Sequence, residues 1–426
     1  MKLSSISVLF VIALAFQAGL TWFAVDIVKY PISNFEDSWQ YVGITDNVLA
    51  GHGFAIEREF PWRPDGTRTP GMLLINIPLR VLWRGQDLHA ALASRLILAL
   101  AALIVGIIAA RTLRSSSGFL AGAALIVTPS ISYYTITPFE TELHYLLALS
   151  LLFLGTLIAS SRRLVGLLLV ATASGYALLL RPAAQFPLIA TALVYLAWVR
   201  LTRKTWRNGT ALGLCMAVIV GTSLAYVLWG ARNYAVFGAF AFSTVPGNNL
   251  LHVNAAGMRP FLDDRAVREI NEAIAAHPIQ IPLYAPMPPH YGMNQFVYAA
   301  EQSRAGRALI QKHPLAFLVS HCVGSFRAFS IFEPKMLTTH FGMLPAYVIS
   351  SAQMIFTVGG FLGIARLWKN CEPEHRLVVA AMLAAGIVSV ISAGVLASPR
   401  FRLPLEIPLA TGWAALVEGR IRASSP

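Results

Sequence analysis

Two adjacent acidic residues, Glu36 and Asp37, follow the first apolar run of the chain. Acidic residues are scarce, since only 20 of the 426 residues are Asp or Glu. A carboxylate beside an apolar run loses hydration, so a functional role would explain its presence. General base catalysis is one such role, in which the carboxylate takes a proton from an attacking hydroxyl group. Tyr41 lies one helical turn after Asp37, and Trp39 lies between them.

A structural role suits the same segment. Asp37 or Ser38 could cap a helix that runs through Tyr41 to Leu49, because Asp and Ser are preferred at helix N-termini. The two roles are compatible, since a helix N-terminus also stabilises an ionised carboxylate. Both interpretations stay open at the level of the sequence.

A second acidic pair, Glu140 and Glu142, follows Pro138. Proline fits the first turn of a helix, and acids in that turn suit the helix dipole, so a capping role is one interpretation. The other is a second acidic patch that binds cationic or hydroxyl groups. We predict that the second acid of the site is Glu140, Glu142 or Glu36.

The composition predicts an all-α polytopic membrane protein. The chain is 56% hydrophobic and 12% charged, whereas soluble proteins carry about 25% charged residues. A formal net charge of +13 would suggest nucleic-acid binding in a soluble protein. Here the basic residues lie mostly in short loops between apolar runs, so we exclude nucleic acid as a partner. The three cysteines are scattered and form no metal or disulfide pattern.

About ten membrane spans are predicted, the first of them an uncleaved signal anchor. They are 6–25, 88–110, 118–136, 141–160, 164–180, 186–199, 210–230, 343–365, 377–397 and 403–418. Basic residues cluster in alternate loops, which assigns that side and both termini to the cytoplasm.

The chain, 1–426, is predicted to be one membrane domain with two sizeable outer loops, 26–87 and 231–313. Segments 71–84 and 314–332 are apolar, but counting either as a span would upset the parity of the crossings. Both are therefore predicted to be interfacial helices on the outer surface.

The second outer loop contains two short amphipathic patterns. Segments 264–276 and 294–312 carry apolar residues at helical spacing, which predicts two short helices. The Pro-rich connector 281–289 between them predicts irregular or extended chain.

Five arginines are predicted on the outer side, where basic residues are rare. The guanidinium fork suits a phosphate group, while the alternative is contact with lipid headgroups. The five are Arg68, Arg181, Arg232, Arg400 and Arg402.

Other patterns are weaker. Asn248, Asn249 and Asn254 suit turns, although amide groups also suit sugar hydroxyls. The histidines form no HxxxH or HExxH pattern, and no P-loop or Rossmann fingerprint is present. We therefore assign no cofactor, and the sequence gives a divalent metal ion no support.

The segment Asp37-x-x-x-Tyr41 resembles the first outer loop of the GT-C fold glycosyltransferases, polytopic enzymes that take a sugar from a polyprenyl-phosphate carrier. The resemblance points to the bacterial family 39-like group, which includes protein O-mannosyltransferases and lipid A aminoarabinose transferases. Further similar segments are Gly51-His52-Gly53-Phe54, Arg68-Thr69-Pro70-Gly71, Leu180-Arg181-Pro182, Arg232-Asn233-Tyr234-x-x-Phe237-Gly238 and Arg400-Phe401-Arg402-Leu403-Pro404. The chain departs from the group in having Glu-Asp where many members have Asp-Glu. We also expect no soluble domain after the last span, although some members carry one.

The resemblance implies a GT-C-like bundle and an inverting sugar transfer at the periplasmic face of a bacterial inner membrane. It implies that Asp37 is the base, while the developing charge on the leaving phosphate calls for cations. The phosphate ligands would be Arg181, Arg232, Arg400 and Arg402, and the sugar or acceptor would contact Trp39, Tyr41, Arg68 and Asn249. The partners implied are membrane lipid, a polyprenyl-phosphate-linked sugar, and a glycan, lipid or protein acceptor.

Two other function classes fit a polytopic frame. A transporter or flippase of lipid-linked glycans would place polar groups at the bilayer midplane, where the predicted spans hold few charges. A glycan polymerase or ligase would share the outer arginines, but it needs no acid in the first loop.

Overall fold

The computed structural model describes residues 3–29, 37–57, 59–134, 138–201, 208–278, 294–330, 343–396 and 399–423. Within these ranges the regular secondary structure is helical, apart from an isolated bridge between Ala55 and Pro64. The helices are α1 (Leu3–Trp22), α2 (Ser38–Leu49), α3 (Leu73–Trp83), α4 (Asp87–Leu113), α5 (Leu120–Val127), α6 (Pro129–Tyr134), α7 (Thr141–Ile158), α8 (Arg163–Leu180), α9 (Gln185–Leu201), α10 (Asn208–Phe237), α11 (Val245–Asn248), α12 (Asp264–Ala276), α13 (Gln295–Lys312), α14 (Pro314–Ser330), α15 (Met343–Asn370), α16 (Pro373–Ser392) and α17 (Leu403–Ala423).

Eight helical stretches in the described ranges are long and apolar enough to cross a membrane. Each coincides with one of the predicted spans, because an apolar helix satisfies its own backbone hydrogen bonds in lipid. The stretches are Ser7–Ile27, Asp87–Leu113, Thr141–Ile158, Arg163–Leu180, Pro182–Arg200, Gly209–Phe237, Tyr347–Asn370 and Pro373–Ser392. The protein is therefore a multi-pass membrane protein, as its composition predicts.

The predicted span 118–136 is not one continuous helix. It is divided into α5 and α6 at Thr128, whose ψ of 130° is extended. Pro129 explains the break, because proline disfavours the helical conformation in the residue before it and lacks an N–H donor. The prediction of one continuous helix was therefore wrong, because the described part of this segment forms two short helices.

The predicted span 403–418 lies in α17, which has 21 residues and is about 31 Å long at 1.5 Å per residue. This helix packs against α15, α16 and α5, and its residues Leu405, Ile407 and Leu409 are fully buried. Because protein surrounds α17, it tolerates the buried Glu406, which a lipid-facing helix would not.

Helices α15 and α17 cross at glycines. A Cβ atom on Gly363 would lie 1.8 Å from the carbonyl oxygen of Gly412, and one on Gly412 would lie 2.1 Å from that of Gly360. Small residues allow such close backbone approach in membrane proteins. The crossing therefore depends on the absence of side chains at these positions.

Gly363→Ala is expected to destabilise the protein by about 1–3 kcal/mol, because the added methyl group must push two backbones apart. The measurement is the thermal unfolding midpoint of the purified protein in detergent. Gly19→Ala in α1 is the control, since a Cβ there meets no atom within 4 Å. Equal midpoints for Gly363→Ala and the wild type would contradict the expectation.

The structure also contains the predicted shorter helices. Segment 71–84 corresponds to α3, preceded by a 3-10 turn over Pro70–Met72, and 314–332 corresponds to α14. Segments 264–276 and 294–312 correspond to α12 and α13, and the connector 281–289 lies outside the described residues. The outer location of the two loops and the interfacial location of α3 and α14 stay predictions.

Candidate active site

A cavity of about 790 Å³ lies between the N-terminus of α2, the segments 56–57 and 63–69, the N-terminus of α7 and the C-terminus of α8. Segments 244–253 and 294–302 close one side, and the turn Pro399–Arg402 forms another part of the wall. Eight of the residues selected from the sequence line it, namely Asp37, Trp39, Tyr41, Arg68, Glu142, Arg181, Asn249 and Arg400. The fold thus brings together residues from both ends of the chain.

Asp37 is ion-paired with Arg68. Arg68 Nη2 lies 2.5 Å from Asp37 Oδ1, and Nη1 lies 3.3 Å from Oδ2. The same guanidinium donates from Nε to Gln40 Oε1 at 2.7 Å and lies 5.2 Å from the centroid of the Tyr41 ring. Asp37 does occupy the N-cap position of α2, but its side chain accepts no capping hydrogen bond. The carboxylate is directed to the arginine instead.

The loop that carries Arg68 is held by hydrogen bonds between its backbone and the Asp65 side chain. The Asp65 carboxylate accepts hydrogen bonds from the backbone N–H groups of Thr67, at 3.1 Å, and Arg68, at 2.7 Å. A Cβ on Gly71 would lie 2.6 Å from the backbone of Leu179, so this turn packs directly on the end of α8. Because α8 ends there, Arg68 is brought to the same cavity as Arg181.

The two acids that the sequence could not separate have different environments. Glu140 Oε1 accepts hydrogen bonds from the backbone N–H of Asp37, at 2.8 Å, and from Ser38 Oγ, at 3.0 Å, so it caps α2 from outside. Glu142 lines the cavity, and its Oε1 accepts from Arg181 Nη1 at 3.1 Å. Glu142 Oε2 is buried and accepts no hydrogen bond from the described residues. Glu36 lies outside the described residues.

Two predicted phosphate ligands do not line the cavity. Arg402 is fully buried, and its Nε lies 2.8 Å from Glu406 Oε1. Arg232 donates from Nη1 to the Asp65 carbonyl oxygen and to Asn233 Oδ1, both at 2.8 Å, and packs over Trp229. Both arginines therefore lie behind the lining residues, where they form hydrogen bonds with the backbone and with buried side chains.

Arg400, one of the five predicted outer arginines, forms a part of the wall together with Phe401, which only the family motif had indicated. Arg400 Nη1 lies 3.9 Å from Asp37 Oδ2. The Phe401 ring centroid lies 5.3 Å from Arg400 Cζ and 5.0 Å from Arg181 Cζ. The signal available in the sequence was Phe401 between Arg400 and Arg402. The contact between Phe401 and Arg181 could not be predicted from it.

The electrostatics of the cavity keep Asp37 ionised. Burial by itself would raise the pKa of this carboxyl group, but the neighbouring guanidinium groups outweigh burial and hold the pKa below its usual value of 3.8. The groups responsible belong to Arg68, Arg400 and Arg181. Burial raises the pKa of the Tyr41 phenol, so it stays protonated at neutral pH.

The donor set does not favour a metal ion. Among the described residues, no group of three or more His, Cys, Asp or Glu side chains is placed to hold one. Asp37 and Glu142 are each paired with an arginine. The described wall therefore suits an anionic group, held by guanidinium groups, next to an ionised carboxylate.

Comparison with protein-family models found no match, and neither did comparison with curated proteins. Among solved structures, the chain is similar to the archaeal oligosaccharyltransferase AglB from Archaeoglobus fulgidus, in complex with an inhibitory peptide and a dolichol-phosphate. The TM-score is 0.53 and the identity 14%, over 97% of this chain and 50% of AglB. The chain thus spans about half the length of that protein.

ArnT from Cupriavidus metallidurans is also similar, at 16% identity. Its structure bound to undecaprenyl phosphate matches 97% of this chain and 78% of ArnT with a TM-score of 0.40. Its apo structure matches 89% of this chain and 72% of ArnT with a TM-score of 0.38. The match to AglB confirms, at the level of the fold, the resemblance to the GT-C glycosyltransferases that the sequence motifs indicated. The chain has the polytopic GT-C fold.

Proposed function

We propose that the protein is a membrane glycosyltransferase that moves a sugar from a polyprenyl-phosphate-linked donor to an acceptor hydroxyl or phosphate group. The observation that carries the proposal is the cavity in which the ionised Asp37 lies beside Arg68 and Arg400, with Arg181 on the same wall. Such a wall offers a proton acceptor and cations for a leaving phosphate in one place. The GT-C fold supports this assignment.

In the proposed reaction the acceptor oxygen attacks the anomeric carbon as the bond from that carbon to the phosphate oxygen breaks. Arg181 and Arg400 stabilise the charge that develops on the phosphate. Asp37 takes the proton of the acceptor hydroxyl, and a single displacement inverts the anomeric configuration. The low pKa of Asp37 makes it a weak base, so it takes the proton late in the same displacement, as the acceptor oxygen bonds to the anomeric carbon and its proton becomes more acidic.

The sugar would lie between the arginines and the polar wall. Trp39, Tyr41 and Asn249 line the same cavity and would contact its ring and hydroxyl groups. Glu142 Oε2, which accepts no hydrogen bond from the described residues, would accept one from a sugar hydroxyl. The positive-inside distribution of basic loops supports an outer location for this cavity, which we propose to be the periplasmic side of a bacterial inner membrane.

Transfer from a radiolabelled donor tests the function. The purified protein in proteoliposomes is given polyprenyl-phosphate-linked sugars, and label is expected to move from the lipid to a water-soluble or lipid acceptor. Movement of intact lipid-linked sugar across the bilayer without transfer would instead show a flippase. Transfer of whole glycan chains alone would show a polymerase or ligase.

Arg68→Ala is expected to move the acid limb of the transfer rate to higher pH. In the wild type the pKa of Asp37 lies below 3.8, so Asp37 loses its charge only below that pH. The Arg68 guanidinium is the largest of the attractions that oppose burial, so the pKa of Asp37 would rise without it. The measurement is kcat/KM against pH. Arg80→Lys is the control, because Arg80 pairs with Asp46 away from the cavity; identical acid limbs for Arg68→Ala and the wild type would refute the effect.

A further inference from the structure

The Phe401 ring lies within cation–π distance of two guanidinium groups of the cavity wall. Its ring centroid is 5.0 Å from Arg181 Cζ and 5.3 Å from Arg400 Cζ. Both arginine side chains are largely buried, with exposed fractions of 12% and 22%. Two cations so placed repel each other, and the negative face of an aromatic ring offsets part of that repulsion.

The turn that carries Phe401 is anchored from behind by Arg402. Its Nη2 donates to Thr357 Oγ1 at 2.7 Å, its Nη1 donates to the Ala328 carbonyl oxygen at 3.2 Å, and its Nε contacts Glu406. These partners lie on α15, α14 and α17. Because three helices hold one side chain of the turn Pro399–Arg402, the neighbouring Phe401 has a fixed position in the wall.

We propose that Phe401 is a positioning residue that holds Arg181 and Arg400 as a preformed two-arginine clamp for the phosphate group of the donor. The inference rests on the proposed function and identifies what arranges its phosphate site. A clamp assembled before the anion binds avoids the cost of ordering two flexible cations at the moment of binding. The clamp also retains its carboxylate contacts, Arg181 with Glu142 and Arg400 with Asp37.

A simple packing role for Phe401 predicts a different pattern. If the ring only fills space, leucine would replace it with little effect, or its loss would weaken every ligand equally. If the ring face orders the two arginines, leucine would weaken only ligands that carry a phosphate. Tyrosine, which keeps the ring face, would preserve the clamp.

The test compares two probes that differ only in the phosphate, farnesyl phosphate and farnesol, on the full chain in nanodiscs. Phe401→Leu is expected to weaken farnesyl phosphate about tenfold and to leave farnesol unchanged. Phe401→Tyr is expected to bind both probes as the wild type does. Phe356→Leu is the matched control, since Phe356 stacks on Trp413, and neither residue lines the cavity.

Two results would overturn the positioning role: unchanged binding of farnesyl phosphate to Phe401→Leu, or equal weakening of both probes. A failure of the proposed function is distinguishable from these. If the wild type prefers farnesyl phosphate and Phe401→Leu loses the preference, yet no sugar is transferred, the clamp stands and the transferase function falls. If the wild type binds both probes equally, no phosphate site exists in this cavity.

Discussion

Asp37→Asn is expected to lower the rate of sugar transfer by about 10²–10⁴-fold, the usual contribution of a general base. Asparagine has nearly the same shape as aspartate, but its amide cannot take the proton of the acceptor hydroxyl. The substitution also removes the charge that pairs with Arg68. The measurement is kcat for transfer in proteoliposomes, with the folded fraction of each variant determined by size-exclusion chromatography.

Asp46→Asn is the matched control for this prediction. Asp46 lies on the same helix and is also paired with an arginine, with Arg80 Nη2 at 2.7 Å from Oδ2, but it does not line the cavity. Loss of an arginine pair alone would therefore affect the two variants alike. Full transfer activity in a folded Asp37→Asn protein would show that another group accepts the proton.

Arg402→Met is expected to destabilise the protein by about 3–5 kcal/mol, because removing one member of a buried ion pair leaves the other charge uncompensated. The charge left behind belongs to Glu406, which is completely buried. Gln353 Nε2, 3.2 Å from Glu406 Oε1, would still donate a hydrogen bond to it. The thermal unfolding midpoint in detergent measures the effect.

The double variant Arg402→Met/Glu406→Leu is expected to regain most of the lost stability, since apolar residues of similar size often replace a buried ion pair without cost. The cycle of single and double variants isolates the coupling between the two charges. A double variant less stable than Arg402→Met would show that the pair contributes through its other hydrogen bonds. In that case Thr357 and Gln353, which both contact the pair, would be the next positions to change.

The sequence predicted most of the helices, because their signals are local. Apolar runs long enough to span a bilayer identified eight helices, and the amphipathic pattern over 264–276 gave the bounds of α12. Asp263 also caps that helix through the N–H of Ala266 at 2.8 Å, a preference that is readable from residue type. The break at Pro129 was a local signal too, but mean hydropathy over the segment concealed it.

The site was predictable in its residue types and not in its pairings. Arg68 is 31 residues from Asp37, and Arg181 is 39 residues from Glu142, and only the packing of helices fixes such distances. Arg400 and Arg402 differ by two positions, yet one faces the cavity and the other the protein interior. A one-turn 3-10 segment directs such neighbours to different sides, and hydropathy carries no information about which is which.

The wall of the described cavity contains four arginines and four carboxylates: Arg63, Arg68, Arg181 and Arg400, with Asp37, Glu57, Asp65 and Glu142. In the proposed reaction with a hydroxyl acceptor, a phosphodiester becomes a phosphomonoester and gains a negative charge. Asp37 gains a proton and thereby loses its negative charge. The transfer step would thus displace charge across the wall without changing its total. Arg400 Nη1 lies 3.9 Å from Asp37 Oδ2, the carboxylate that loses its negative charge. The same arginine belongs to the clamp for the phosphate group, which gains that charge. No counterion would need to enter or leave during the transfer step, and the proton leaves Asp37 before the next cycle begins.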